Sequence, residues 1–121
     1  MNSNPPGVVA IVDDDLAVLD SLKFLLEVVG YLVSTYASAA AFLGDVATNH
    51  ACLIIDQHMP GMTGLELAQR LRDDGAAIPI LLITGSPSPA IVARAGQLGI
   101  VNVLEKPPEE ADLLSFVGAY I

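Results

Sequence analysis

Two kinds of block alternate along this chain. Short apolar runs with no polar face occupy residues 8–12 (VVAIV), 51–55 (ACLII) and 79–83 (PILLI). Such runs suit strands buried on both sides within a parallel sheet. Between them the apolar positions fall at helical spacing. In 15–29 they are Leu16, Leu19, Leu22, Leu25 and Leu26, with Gly30 as the stop. Residues 31–36 read as a second strand, and Ser38 caps a helix that runs to about Val46. Thr63 and Glu66 form a capping box for a third helix through about Arg72. The loop 85–89 carries Pro87 and Pro89, which delay a fourth helix to about 90–98. A strand at 101–104 follows, and Pro107, Pro108, Glu109 and Glu110 open a last helix that runs to about Tyr120. Five strand–helix units in regular alternation imply an α/β fold, (βα)5, with a five-stranded parallel sheet and helices on both faces. Residues 1–7 read as an N-terminal tail and 8–121 as one domain, with no room for a second after the fifth helix.

Composition narrows the function. A hydrophobic fraction of 53% with 5% aromatics predicts an aliphatic core. Fourteen acids against five Lys and Arg give a formal charge of −9. That argues against direct nucleic-acid binding by this domain and against an anionic membrane surface, since both need basic patches. No apolar stretch reaches the roughly 20 residues of a membrane helix, and residues 1–7 lack the regions of a signal peptide. A cytoplasmic protein is expected. The single cysteine, Cys52, lies in an apolar run and reads as a buried, inert thiol.

Sites in open α/β sheets lie outside the carboxyl ends of the strands. Here those ends carry Asp13 and Asp14, then Asp56, Thr84 and Lys106. Each alone is commonplace; their convergence is the signal. Carboxylates gathered together repel one another, and Mg²⁺, which prefers oxygen ligands, relieves that repulsion. A carboxylate held beside such a cation and an ammonium can accept a phosphoryl group.

The pieces Val12-Asp13-Asp14, Asp56 with Met59-Pro60 and Gly64, Ile83-Thr84-Gly85, and Lys106-Pro107 resemble the receiver domains of two-component signalling, the CheY-like family. The likeness spans nearly the whole chain. Residues 13–43 with Glu105-Lys106-Pro107 are most similar to the FixJ-type subgroup. The resemblance implies a CheY-like (flavodoxin-like) sheet and a set of roles. Asp13 and Asp14 would hold Mg²⁺, Asp14 more directly. Asp56 would accept the phosphoryl group from the phosphohistidine of a histidine kinase or phosphotransfer protein and also ligate the metal. His58 would offer its backbone carbonyl to Mg²⁺. Thr84 would move toward the phosphoryl group, Lys106 would pair with it, and Gly85 would leave it room. The Lys106–Pro107 bond would be cis. The domain would catalyse only its own phosphorylation and dephosphorylation, and is in that sense no enzyme. A homodimer through the fourth helix, fifth strand and fifth helix is a further implication.

One position departs from the family. Val103 stands where Tyr or Phe often serves as a rotamer switch coupled to the threonine. The expectation is that output runs instead through the loop 85–89 and the helix after it. Plainer roles fall to other residues. Asp15 caps the first helix, and His58 and His50 face solvent. Met59 and Met62 are packing, Arg70 and Arg72 are the polar face of the third helix, and Ser86 and Ser88 carry no role. Two rivals stand beside this reading. A haloacid-dehalogenase-like phosphatase would use Asp13 as its nucleophile but leaves Asp56 unexplained. A receiver that has lost phosphorylation would bind Mg²⁺ without taking up phosphate.

Overall fold

The computed structural model describes residues 7–45 and 48–121. Its elements are β1 (Val8–Val12), α1 (Leu16–Val29), β2 (Leu32–Tyr36), α2 (Ala39–Gly44), β3 (His50–Asp56), α3 (Gly64–Asp73), β4 (Ile80–Thr84), α4 (Pro89–Gln97), β5 (Asn102–Glu105) and α5 (Glu110–Tyr120). The five strands form one parallel sheet in the order β2-β1-β3-β4-β5. The expected α/β architecture is present.

The apolar strands explain their own burial. Successive side chains in a strand point to opposite faces. Val9 and Ile11, Cys52 and Ile54, and Leu81 and Ile83 face one way, onto Leu19, Leu22 and Leu26 of α1 and Leu113, Phe116 and Val117 of α5. Ala10 and Val12, Leu53 and Ile55, and Ile80 and Leu82 face the other way, onto α2, α3 and α4. Both layers are almost wholly aliphatic. Burial pushes the Cys52 thiol up to about 11, so it stays protonated and inert at neutral pH.

Helix ends follow local chemistry. The Asp15 carboxylate accepts from the N–H groups of Ala17 and Val18, and Gly30 ends α1 at a φ of 111°, a left-handed turn that favours glycine. The Thr63–Glu66 capping box is complete. Helix boundaries beside the prolines and at the end of α2 depart from expectation. The fourth helix starts at Pro89 itself: Ser88 caps it through the Ile91 N–H, and proline in the first turn gives up no hydrogen bond. Pro107 and Pro108 precede α5 rather than open it: Pro108 disfavours helical backbone at Pro107, and the extended Glu109 is the N-cap. The second helix ends at Gly44, and the expected end at Val46 lies outside the described residues, as does the tail apart from Gly7.

Two polar residues are more structural than expected. His50 opens β3 half-buried, its ring 5.1 Å from that of Phe42 and its Nε2 2.8 Å from the Tyr36 hydroxyl. That hydroxyl donates its one proton to Asp45, so the His50 Nε2–H is the donor toward it. Burial, partly offset by Asp45, lowers the His50 pKa. Arg72 turns away from the solvated face occupied by Arg70. Its guanidinium donates to the carbonyls of Leu98 (2.8 Å), Ala76 (3.1 Å) and Ile78 (2.9 Å), tying α3 to the end of α4 and to the loop that leads into β4. Charged hydrogen bonds contribute about 1.5–3 kcal/mol each at most. Arg72→Ala is therefore expected to cost about 2–3 kcal/mol in urea denaturation. Arg70→Ala, which removes only an exposed pair with Asp74, should cost under about 0.5 kcal/mol. Equal losses from the two would contradict this account. Among the described residues no helix is long and apolar enough to cross a membrane.

Candidate functional site

The strand order brings the polar residues together. In register, Val12 pairs with Ile55, Asp56 with Ile83, and Thr84 with Glu105. Asp13, Asp56, Thr84 and Lys106 therefore leave adjacent strands within about a residue of one level. They do so where the chain order reverses between β1 and β3, the place where open α/β sheets bind ligands.

Asp13 and Asp56 are 2% and 4% exposed, and Thr84 is fully buried, whereas Asp14 is exposed. One carboxylate oxygen each from Asp13, Asp14 and Asp56 lie within 4.8 Å of one another. The Lys106 ammonium reaches into this cluster, 2.9 Å from Asp56 Oδ1 and 3.1 Å from Asp13 Oδ2. Three carboxylates and one ammonium leave a formal charge of −2. Two of those carboxylates, Asp13 and Asp56, are buried, and buried charge is costly without a counter-ion.

The local electrostatics record the strain. Burial raises the Asp13 pKa, and the charge of Asp56 raises it further. The Asp15 N–H and Lys106 only partly oppose this. Burial alone would lower the Lys106 ammonium, but hydrogen bonds and charge from Asp56 and Asp13 hold it above its ordinary value. The donor set is oxygen only, and its residual charge is that of one divalent cation. It fits a hard ion such as Mg²⁺.

The surrounding loops are arranged around this cluster. Asp13 Oδ1 accepts from the Asp15 N–H (2.9 Å), which aims the carboxylate. The Thr84 hydroxyl accepts from the Ser86 N–H (3.1 Å), and the Thr84 carbonyl from the Lys106 N–H (2.9 Å). Ser86, given no role from sequence, thus positions the threonine through its backbone. His58 and Gly85 are exposed on the loops that follow β3 and β4. A Cβ added to Gly85 would meet no atom within 4 Å, so packing alone does not require glycine there. The Lys106–Pro107 peptide is cis. Val103 is partly buried and packs against the core beneath α4. Met59 is buried and Met62 packs against the same core.

A residue passed over in the sequence is Gln57, a buried amide immediately after Asp56. A polar side chain continuing an aliphatic strand was the available signal. Its partners lie on α3, and that contact exists only once the loop has closed.

Comparison with known proteins is consistent across three kinds of match. The family model for the response regulator receiver domain matches residues 9–118. The transcriptional regulatory protein FixJ of Azorhizobium caulinodans is 40% identical over 92% of this chain and 53% of its own length. The response regulator protein TmoT of Ectopseudomonas mendocina is also 40% identical, over 92% of this chain and 51% of its own. The chain thus spans about half the length of the curated relatives it matches. The crystal structure of FixJ-N superposes with a TM-score of 0.85 at 34% identity, covering 95% of this chain and 93% of that one. The chemotaxis protein CheY4 of Vibrio cholerae gives 0.87 at 27% identity, covering 97% and 100%.

Proposed function

This chain belongs to the response-regulator receiver domains, of the FixJ type, and from that premise we propose that Asp56 is its phosphoacceptor. The observation that carries the reading is the Lys106 ammonium bridging Asp56 and Asp13 inside a three-carboxylate cluster. Asp13, Asp14 and Asp56, with the backbone carbonyl of His58, would hold Mg²⁺. When bound, the ion supplies positive charge against the incoming phosphoryl oxygens.

The protein's own groups do the rest. Asp56 presents a carboxylate oxygen at the mouth of a buried site. That oxygen forms a bond to phosphorus as the bond from phosphorus to the donor imidazole nitrogen breaks, and the imidazole leaves. Lys106 moves its charge from the free carboxylate to the phosphoryl oxygens. The Thr84 hydroxyl, released from the Ser86 N–H, turns to donate to a phosphoryl oxygen. Open space at Gly85 accommodates the new group. With Val103 lacking a hydroxyl or ring, the consequence of that turn is carried by the loop 85–89 into α4. Hydrolysis of the acyl phosphate returns the site to its starting state, so turnover is confined to the domain's own modification.

A histidine kinase or phosphotransfer protein is the donor in this reading. A surface cleft of about 450 Å³ lined by Ala17, Val18, Ser21 and Ile83, with Pro107 and Pro108, adjoins Lys106 and offers that partner an apolar seat beside the acceptor. A homodimer through α4, β5 and α5 is the corresponding output contact. Val92, Val101 and Tyr120 are exposed apolar side chains on or beside those elements. Borohydride reduction after incubation with acetyl phosphate and Mg²⁺ tests the acceptor directly. An aspartyl phosphate is reduced to homoserine, and peptide mapping should find homoserine at position 56. Homoserine at position 13 would favour the phosphatase rival instead.

A further inference from the structure

The peptide after Asp56 is tied down at three points by one residue. Gln57 is only 8% exposed. Its backbone N–H donates to the Ile83 carbonyl (2.9 Å), fixing it to β4 one residue before Thr84. Its backbone carbonyl accepts from the Gly64 N–H (3.1 Å), and its side-chain Oε1 accepts from the Leu65 N–H (2.8 Å).

The first N–H groups of a helix have no partner within the helix. In α3 the Glu66 N–H is taken by Thr63 Oγ1 at 3.2 Å, and Gln57 takes the two before it. The helix is thus capped twice, once from its own N-cap residue and once from the end of β3. The second cap closes residues 57–64 into a ring. The closure is tight, because a Cβ on Gly64 would lie 2.7 Å from the Asp56 carbonyl oxygen and 3.1 Å from the Gln57 Cα. His58 sits inside that ring, and Asp56 immediately precedes it.

We propose that Gln57 is a positioning residue for the acidic pocket. Acting through its side-chain bond to the Leu65 N–H, which reinforces the backbone bond from Gly64, it fixes the turn that presents the His58 carbonyl and sets the peptide that aims Asp56. The inference rests on the Mg²⁺ reading of that pocket. Thr63 caps the same helix without touching the turn's other end, so the two caps have separable consequences. Loss of either weakens α3, but only loss of the Gln57 cap lets the turn beside Asp56 relax.

The test compares wild type, Gln57→Met, Gln57→Asn and Thr63→Val in the full chain. Methionine keeps the volume and removes the acceptor. Asparagine keeps the amide but is one methylene too short to reach Leu65, and serves if the methionine variant fails to fold. Mg²⁺ affinity is read by calorimetric titration with MgCl₂, and the Leu65 cap by amide hydrogen exchange. Both Gln57 variants should lose protection at Leu65 and bind Mg²⁺ roughly tenfold more weakly, the scale of outer-shell partners at metal sites. Thr63→Val should lower the melting temperature comparably while keeping Mg²⁺ affinity within about twofold of wild type. Gln57 variants that bind Mg²⁺ as wild type does, or a Thr63→Val variant equally weakened, would overturn the proposal alone. A wild-type chain that binds no Mg²⁺ would overturn the underlying reading as well.

Discussion

Asp13→Asn should weaken Mg²⁺ binding by at least roughly tenfold, since even outer-shell partners are worth that much, and should raise the melting temperature of the metal-free domain. The two effects have one origin. Burial and the charge of Asp56 hold the Asp13 carboxyl above the usual carboxylate range. A group whose pKa is raised on folding binds its proton more tightly in the folded state. Its ionised form therefore costs stability. Metal-free stability should rise as pH falls from neutral through the raised Asp13 pKa, and fall as pH climbs back. Asparagine removes that cost at all pH values. Its one amide oxygen can still accept from the Asp15 N–H, while Lys106 gives up its bond to Oδ2 and keeps the one to Asp56. The Lys106 pKa is raised too, which is a stabilising shift present below its ordinary value and lost only in strong alkali. It therefore adds a constant stability and no pH dependence between about pH 5 and pH 8. Bound Mg²⁺ stabilises the folded state by mass action, and a weakened site forfeits most of that gain. Calorimetric melting in EDTA and in MgCl₂ across this range should show Asp13→Asn above wild type without metal and below it with metal. A variant that melts lower in EDTA would show that the carboxylate cluster is not strained.

Gly64→Ala should cost about 1–3 kcal/mol, the usual range for overpacking. The added Cβ would stand 2.7 Å from the Asp56 carbonyl oxygen and 2.7 Å from Leu82 Cδ1. The leucine tip can swing aside, but the Asp56 oxygen is backbone at the end of β3, and Asp56 must shift with it. Gly64 has no positive φ, so the expected loss comes from close approach rather than from backbone strain. Urea denaturation measures the stability loss, and phosphoryl uptake from acetyl phosphate should slow in parallel. Full stability in Gly64→Ala would mean that the β3–α3 loop yields more freely than its hydrogen bonds suggest.

Much of this structure was legible in the chain, for identifiable reasons. The strands β1, β3 and β4 are buried on both faces, so their apolar runs carry no ambiguity of side, and their edges fell within a residue of expectation. Asp13, Asp56, Thr84 and Lys106 were legible because a parallel sheet forces strand ends to one edge. Boundaries set by proline were misread at Pro89, Pro107 and Pro108, because the same residue can open a helix or precede it according to the cap beside it. Long-range contacts were not legible. Arg72 reads as a surface residue of an amphipathic helix, and its partners 26 residues away at Leu98 appear only after α4 has packed. His50 and Gln57 are similar: each finds its partner across a loop whose path the sequence does not specify.

Asp56 should accept a phosphoryl group, and only where the site can hold Mg²⁺. Intact mass after incubation with acetyl phosphate tests it most directly, on wild type and Asp56→Asn, each with MgCl₂ and with EDTA. A gain of one phosphoryl group is expected in wild type with MgCl₂ and in none of the other three samples. A gain that survives Asp56→Asn, or a wild type that binds Mg²⁺ and gains nothing, would contradict it.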